Sequence, residues 1–121
     1  MKMGIIYTLN VKTVSEANSR EHWAAKHRRS KAQRALALAK TLEALNGAVI
    51  TSATITITRI APKALDDDNL SRSMKAIRDG IADAIKIDDG DSRVKYKYAQ
   101  EPIGKHQYSV CIEIKGDEET L

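Results

Sequence analysis

Ala64-Leu65-Asp66-Asp67-Asp68-Asn69-Leu70 is the stretch on which the rest of the chain is organised. Downstream of it, Leu70, Met74, Ile77, Ile81 and Ile85 recur at steps of four, three, four and four, which is one face of an amphipathic helix. Asp68 or Asn69 is the expected N-cap, its side chain accepting a hydrogen bond from an orphan backbone amide and stabilising the helix by about 1 kcal/mol. One cap does not account for three consecutive aspartates. Two carboxylates about 6 Å apart repel by roughly 3 kcal/mol at an effective dielectric of about 20, and by under about 1 kcal/mol in free water. A cluster of this kind means little if solvated, and asks for a cation if it lines a cleft. Oxygen-only ligands suit Mg²⁺, with Mn²⁺ as the alternative.

Upstream, Ala53 to Ile60 alternates and is rich in β-branched residues, so it reads as a strand that Pro62 ends before the aspartates. After the helix, Asp88-Asp89-Gly90 breaks the pattern, and Val94, Tyr96 and Tyr98 alternate with Arg93, Lys95 and Lys97 in a strand with one basic face. Tyr108, Val110, Ile112 and Ile114 mark a last strand, antiparallel to its predecessor if a hairpin joins them, with Cys111 on the opposite face. At the other end, Ile5 to Val11 reads as a first strand. A helix is expected from about Arg20 to Leu45, capped by Ser15, Asn18 or Ser19 and ended at Asn46-Gly47, with a narrow apolar stripe at Ala35, Leu36, Ala39, Leu42 and Leu45. The order is therefore β-α-β-α-β-β. It defines an α+β fold: a small mixed sheet of about four strands with two main helices.

The 121 residues suffice for one modest core, expected over residues 1–116, followed by a short acidic tail at 117–121. No apolar run approaches a membrane span, no signal peptide is evident, and the lone Cys111 excludes an internal disulfide, so the default location is the cytoplasm. Net charge is +4; taking Asp117, Glu118 and Glu119 from the 16 acids leaves 13 against 20 basic groups, a net of +7 over residues 1–116. A polyanionic partner suits that distribution, although a basic balance is by itself weakly specific. Gly-rich phosphate loops, zinc spacing, a nucleophile elbow and an EF-hand loop are absent.

The first half of the long helix carries Arg20, Lys26, Arg28, Arg29, Lys31 and Arg34 around Trp23, His22 and His27. Two readings stand side by side: a surface contacting phosphates, or a solvated helix face. Trp23 is expected to anchor this face to the core, with a nucleic-acid strand as the alternative contact. Neither histidine has metal-ligand spacing, and His106 reads as solvated.

Asp66 and Asp68 are two apart, so in an extended lead-in both point to one side while Asp67 points away. A segment returning beside the helix start would bring Asp89 to the same place. Leu65-Asp66-Asp67-Asp68-Asn69-Leu70, then Lys75-Ala76-Ile77-Arg78-Asp79-Gly80-Ile81, then Ile87-Asp88-Asp89 resembles the RusA family of Holliday junction resolvases over about a quarter of the chain. That resemblance implies metal-binding catalytic carboxylates at Asp66, Asp68 and Asp89, with Asp88 and Asp91 as weaker candidates. It implies a catalytic cation at Lys75, which Ala76-Ile77-x-Asp79 follows as in the family. Arg72 holds the family's usual four-residue offset from Asp68 and is the alternative cation.

The implied activity is Mg²⁺-dependent cleavage of four-way DNA junctions by paired nicks, in a homodimer with one site per subunit, in a phage or prophage setting. Arg72, Arg28, Arg29, Lys31, Lys95 and Lys97 would hold phosphates. The alternatives are a nuclease for other branched DNA and a non-catalytic nucleic-acid-binding α+β module in which Asp68 caps a helix and the other acids are solvated.

Overall fold

The structure, a computed structural model, describes residues 2–14 and 23–118. The expected caps Ser15, Asn18 and Ser19, the start at Arg20, and His22 lie outside the described residues. Strand β1 (Lys2–Leu9) leads to helix α1 (Trp23–Leu45) and strand β2 (Ile50–Ala61). Two helices, α2 (Asp67–Ser73) and α3 (Lys75–Ile85), precede strands β3 (Val94–Pro102) and β4 (Ser109–Glu118). The fold is α+β, a four-stranded mixed sheet in the order β1-β4-β2-β3 with three helices.

The strands β3 and β4 do not form a hairpin. β3 runs parallel to β2, while β4 lies between β1 and β2 and is antiparallel to both. A helical crossover returns the chain to the same end of the sheet and so makes β2 and β3 parallel. The placement of β4 follows from its residues: Val110, Ile112 and Ile114 are fully buried, as a central strand requires. β3 carries exposed Lys95 and Lys97 and ends at Pro102, features suited to an edge. β4 also continues to Glu118, with Asp117 paired in register to Lys2 and Ser52, so part of the acidic terminus is strand.

One face of the sheet carries three rows of side chains that run across the strands. Ile5, Ile114, Ile55 and Tyr96 form the first; Tyr7, Ile112, Ile57 and Tyr98 the second; Leu9, Val110, Arg59 and Gln100 the third. Against this face pack Leu70, Met74, Ile77, Ile81 and Ile85, all buried in one cluster with the sheet isoleucines.

The inward face of α1 is only partly the expected one: Leu45 is buried and Leu36 packs against the core, but the rest of the stripe is exposed. Gln33, Ala37, Thr41 and Leu45 are buried at steps of four, whereas Ala35 and Ala39 are exposed and Leu42 is 49% exposed. Small and hydrogen-bonded residues sit at the crossing because the helices approach closely. Thr41 Oγ1 lies 2.6 Å from the Tyr7 hydroxyl, whose pKa burial pushes up to about 12. Asn46 and Gly47 end α1 with positive φ values of 48° and 88°. Trp23, expected in the core, is 71% exposed and meets the His27 ring edge-on at 6.4 Å.

Gly80 permits the α1–α3 approach. A Cβ there would fall 2.3 Å from the Arg34 carbonyl oxygen and 2.7 Å from Ala37 Cβ. Alanine gains about 1 kcal/mol in helix propensity, so overpacking, which costs about 1–3 kcal/mol, decides the sign. Gly80→Val lacks much of that propensity gain and adds two methyl groups to the clash. It is expected to destabilise by about 3 kcal/mol and lower Tm by roughly 10–15 °C, read from a circular-dichroism melt. An unchanged Tm would show that the two helices separate without loss.

Candidate functional site

The aspartate turn is built by its own hydrogen bonds. The N-cap is Asp66, two or three residues earlier than expected: its Oδ1 accepts from the Asn69 amide at 2.9 Å and its Oδ2 from Asn69 Nδ2 at 3.0 Å. Asp66 wins because it alone is extended (φ −69°, ψ 166°), while Asp67 and Asp68 already lie in the first helical turn. Asp67 and Asp68 are exposed, and neither side chain has a partner among the described residues.

The helix that follows is not continuous. Met74 (φ −101°, ψ −2°) separates α2 from α3, so Asp68, Arg72, Lys75 and Asp79 do not form one uninterrupted stripe. Arg72, Lys75 and Asp79 nevertheless line one cavity of about 330 Å³ against Ser30 and Gln33 of α1. Lys75 Nζ lies 3.4 Å from Asp79, whereas Arg72 has no ion pair among the described residues.

Past α3, Lys86 adopts a left-handed conformation (φ 61°, ψ 32°) and turns the chain back toward β3. Asp89 is then caught by Arg78, whose Nε and Nη2 lie 3.1 and 3.0 Å from its Oδ2. Arg78 Nη1 donates to the Tyr98 hydroxyl at 2.9 Å, and its guanidinium lies 5.0 Å from the Tyr96 ring centroid. Partial burial pushes the Asp89 carboxyl upward, but the charge of Arg78, a hydrogen bond with Asp88, the Arg78 hydrogen bond and, least, the charge of Lys75 outweigh it and hold the pKa below its ordinary value. Asp91 is held lower still, at about 2, by hydrogen bonds from Arg93.

Both halves of the site are anchored on β3. The Leu65 amide donates to Gln100 Oε1 at 2.9 Å, and Gln100 Nε2 donates to the Leu65 carbonyl at 2.7 Å, fixing the lead-in to the aspartates. Tyr98 fixes Arg78 and through it Asp89. Tyr98 and Gln100 face the same side two residues apart, which places the anchors about 7 Å from one another. Arg78 is the residue that sequence reasoning missed. It occupies the variable position between Ile77 and Asp79, next to the buried stripe, and its arginine character was the available signal.

The expected carboxylates suit a hard cation in donor chemistry, but they are not gathered around a common point. Among the described residues no three His, Cys, Asp or Glu side chains are close enough to hold a metal ion. Two of the acids are also engaged, Asp66 in the cap and Asp89 with Arg78. A cation at Asp89 would have to displace the guanidinium.

The basic residues do not form a single surface. Arg28 and Lys31 are exposed on α1 and Arg29 is half-buried there, whereas Lys95 and Lys97 project from the sheet face away from the helices. Arg34 is paired with Asp83 at 2.7 Å. Among the described residues no helix is long and apolar enough to cross a membrane. Burial and the Glu113 and Glu101 charges push the Cys111 thiol up, away from the reactive thiolate.

A depressed carboxyl pKa stabilises the fold above the unfolded value of about 3.9, and that contribution is lost as pH falls through the lower folded value. Arg78→Gln is therefore expected to destabilise the protein by about 1–2 kcal/mol at pH 7, and by less at pH 2.5, as pH falls toward the lowered pKa of Asp89. Urea unfolding at the two pH values measures it. An equal loss at both would assign the whole effect to the Tyr98 and Tyr96 contacts.

No family model and no curated protein matches this chain. Among solved structures, it is similar to thiamine-monophosphate kinase from Stenotrophomonas maltophilia K279a at 12% identity and a TM-score of 0.45, covering 96% of this chain and 30% of that one. It is also similar to a 2C-methyl-D-erythritol-2,4-cyclodiphosphate synthase at 17% identity and a TM-score of 0.38, covering 69% of this chain and 50% of that one. Likeness at this level leaves function to be argued from the chain's own residues.

Proposed function

We propose that this chain is a RusA-like, Mg²⁺-dependent endodeoxyribonuclease that resolves four-way DNA junctions by paired nicks. The observation that carries the proposal is the aspartate motif, with Asp66 and Asp68 at the head of the helical segment, Lys75 within it and Asp89 after it, both ends anchored on β3 through Gln100 and Tyr98. Asp66, Asp68 and Asp89 are the residues that would hold the cation, Asp89 only once Arg78 releases it, and the cation would supply water activation and charge stabilisation at the leaving oxygen. The chain's own part is positional and electrostatic. Gln100 fixes the aspartate turn, Tyr98 holds Arg78 beside Asp89, and the exposed ammonium of Lys75 and guanidinium of Arg72 receive phosphate oxygens. A junction presents two equivalent strands, so a homodimer supplies one site for each.

A second reading is favoured by the dispersed carboxylates: a nucleic-acid-binding module whose acids are structural. Incubating a labelled four-way junction with the protein in Mg²⁺ and in EDTA separates the two. The nuclease reading expects symmetric nicks in Mg²⁺, none in EDTA, and binding in both. Binding without cleavage in Mg²⁺ and in Mn²⁺ would leave only the module, and preferential cutting of flaps would reassign the substrate.

A further inference from the structure

Beside Leu65, which leads into the aspartates, lies a cavity of about 480 Å³ lined by the segment after β1, the end of β2 and the loop before β4. Lys12, Arg59, Lys63 and Lys105 line it, and no carboxylate does so among the described residues. Arg59 is only 6% exposed. Its Nε donates to Thr13 Oγ1 at 2.9 Å and its Nη1 to the Lys63 carbonyl at 2.6 Å, with a longer contact of 3.5 Å from Nη2 to the Thr13 carbonyl. All three acceptors are neutral. A buried guanidinium without a carboxylate is costly, and burial lowers its pKa. Three further ammonium groups at the same opening raise that cost, and none of them has an ion pair among the described residues.

Four cations meeting at one opening, with no carboxylate lining it among the described residues, suit an anion. The space is larger than an inorganic phosphate needs and falls in the range of small-molecule sites. Leu65 and Tyr108 supply an apolar wall beside the cations, with Lys12 Nζ 4.7 Å from the Tyr108 ring centroid. We propose that this cavity binds a nucleoside phosphate, its phosphate on Arg59, Lys63 and Lys105 and its flat, less polar body against Leu65 and Tyr108. The site is separate from the carboxylates, requires no metal, and goes beyond the nuclease reading without depending on it. Its ligand is either a free nucleotide or one nucleotide of a DNA strand.

Isothermal titration of the full chain at low ionic strength with dAMP, deoxyadenosine and inorganic phosphate tests this. dAMP is expected to saturate one site, with deoxyadenosine at least about tenfold weaker. Lys63→Glu with Lys105→Glu should weaken dAMP by roughly 10–100-fold, the scale of lost charge-assisted hydrogen bonds. Both side chains are exposed, and the Arg59 bond at residue 63 uses the backbone carbonyl, so an unchanged melting curve is the folding control. A 5′-phosphorylated single strand weakened in parallel identifies a strand-borne nucleotide, and a single strand unaffected by the double change identifies a free one. Absence of dAMP binding at millimolar concentration, equal affinity for deoxyadenosine, or indifference of dAMP to the double change would each overturn the proposal. Asp68→Asn should leave this binding intact, so failure of the nuclease reading and failure of this one are told apart.

Discussion

Junction cleavage by Asp68→Asn is expected to fall by roughly 10³-fold, the upper end of what loss of one preorganised electrostatic group costs, while junction binding holds or strengthens. The structure makes this a clean substitution. The cap that opens α2 is Asp66, and the Asp68 side chain is exposed without a partner among the described residues, so Asn at 68 removes charge and leaves the turn intact. Replacing Asp66 instead would lose both hydrogen bonds to Asn69 and confound chemistry with stability. Weaker repulsion toward phosphate accounts for retained or tighter binding. Single-turnover cleavage at saturating enzyme separates the chemical step from affinity. A variant that cuts at the normal rate would remove Asp68 from the site.

Lys75→Ala is expected to lower the same rate by roughly 10²–10³-fold, with Arg72→Ala acting mainly on binding. Both cations border the cavity against α1, but they stand on different helices with Met74 between them, so a helical offset from Asp68 cannot rank them. Their surroundings can. The charge of Lys75 reaches Asp89, whose pKa it lowers, and its ammonium is paired loosely with Asp79 at 3.4 Å. Losing that exposed pair costs at most about 1 kcal/mol of stability, too little to mimic a catalytic defect. Lys75→Arg should recover little, because a planar fork does not replace a point charge. A silent Lys75→Ala beside an inactive Arg72→Ala would reverse the assignment. Two silent variants would leave the helices without a catalytic charge.

Local pattern determined much of this protein. Periods of two and of nearly four residues marked the strands and the buried side of the second helical region, because burying one face imposes the repeat whatever the partner. Leu70, Met74, Ile77, Ile81 and Ile85 are all in the core, and the α+β class follows from the order of the elements. The aspartate turn was legible as a helix start, but which acid caps it depends on the φ and ψ of three adjacent residues, and side-chain type alone does not distinguish them.

The tertiary structure decided what depends on pairs of distant residues. β4 lies between β1 and β2 because its isoleucines need neighbours on both sides, a competition among strands that no single segment reveals. α1 turns Ala37 and Thr41 inward beside Leu45 and leaves Leu42 of the expected stripe outside, because Gly80 on α3 admits a close approach and Tyr7 on β1 offers Thr41 a hydrogen bond. The hold of Arg78 on Asp89, and the gathering of Lys12, Arg59, Lys63 and Lys105 around one cavity, arise in the same way. Charges spread along a chain carry no mark of which will meet, since Coulomb energy depends on distances that only folding creates.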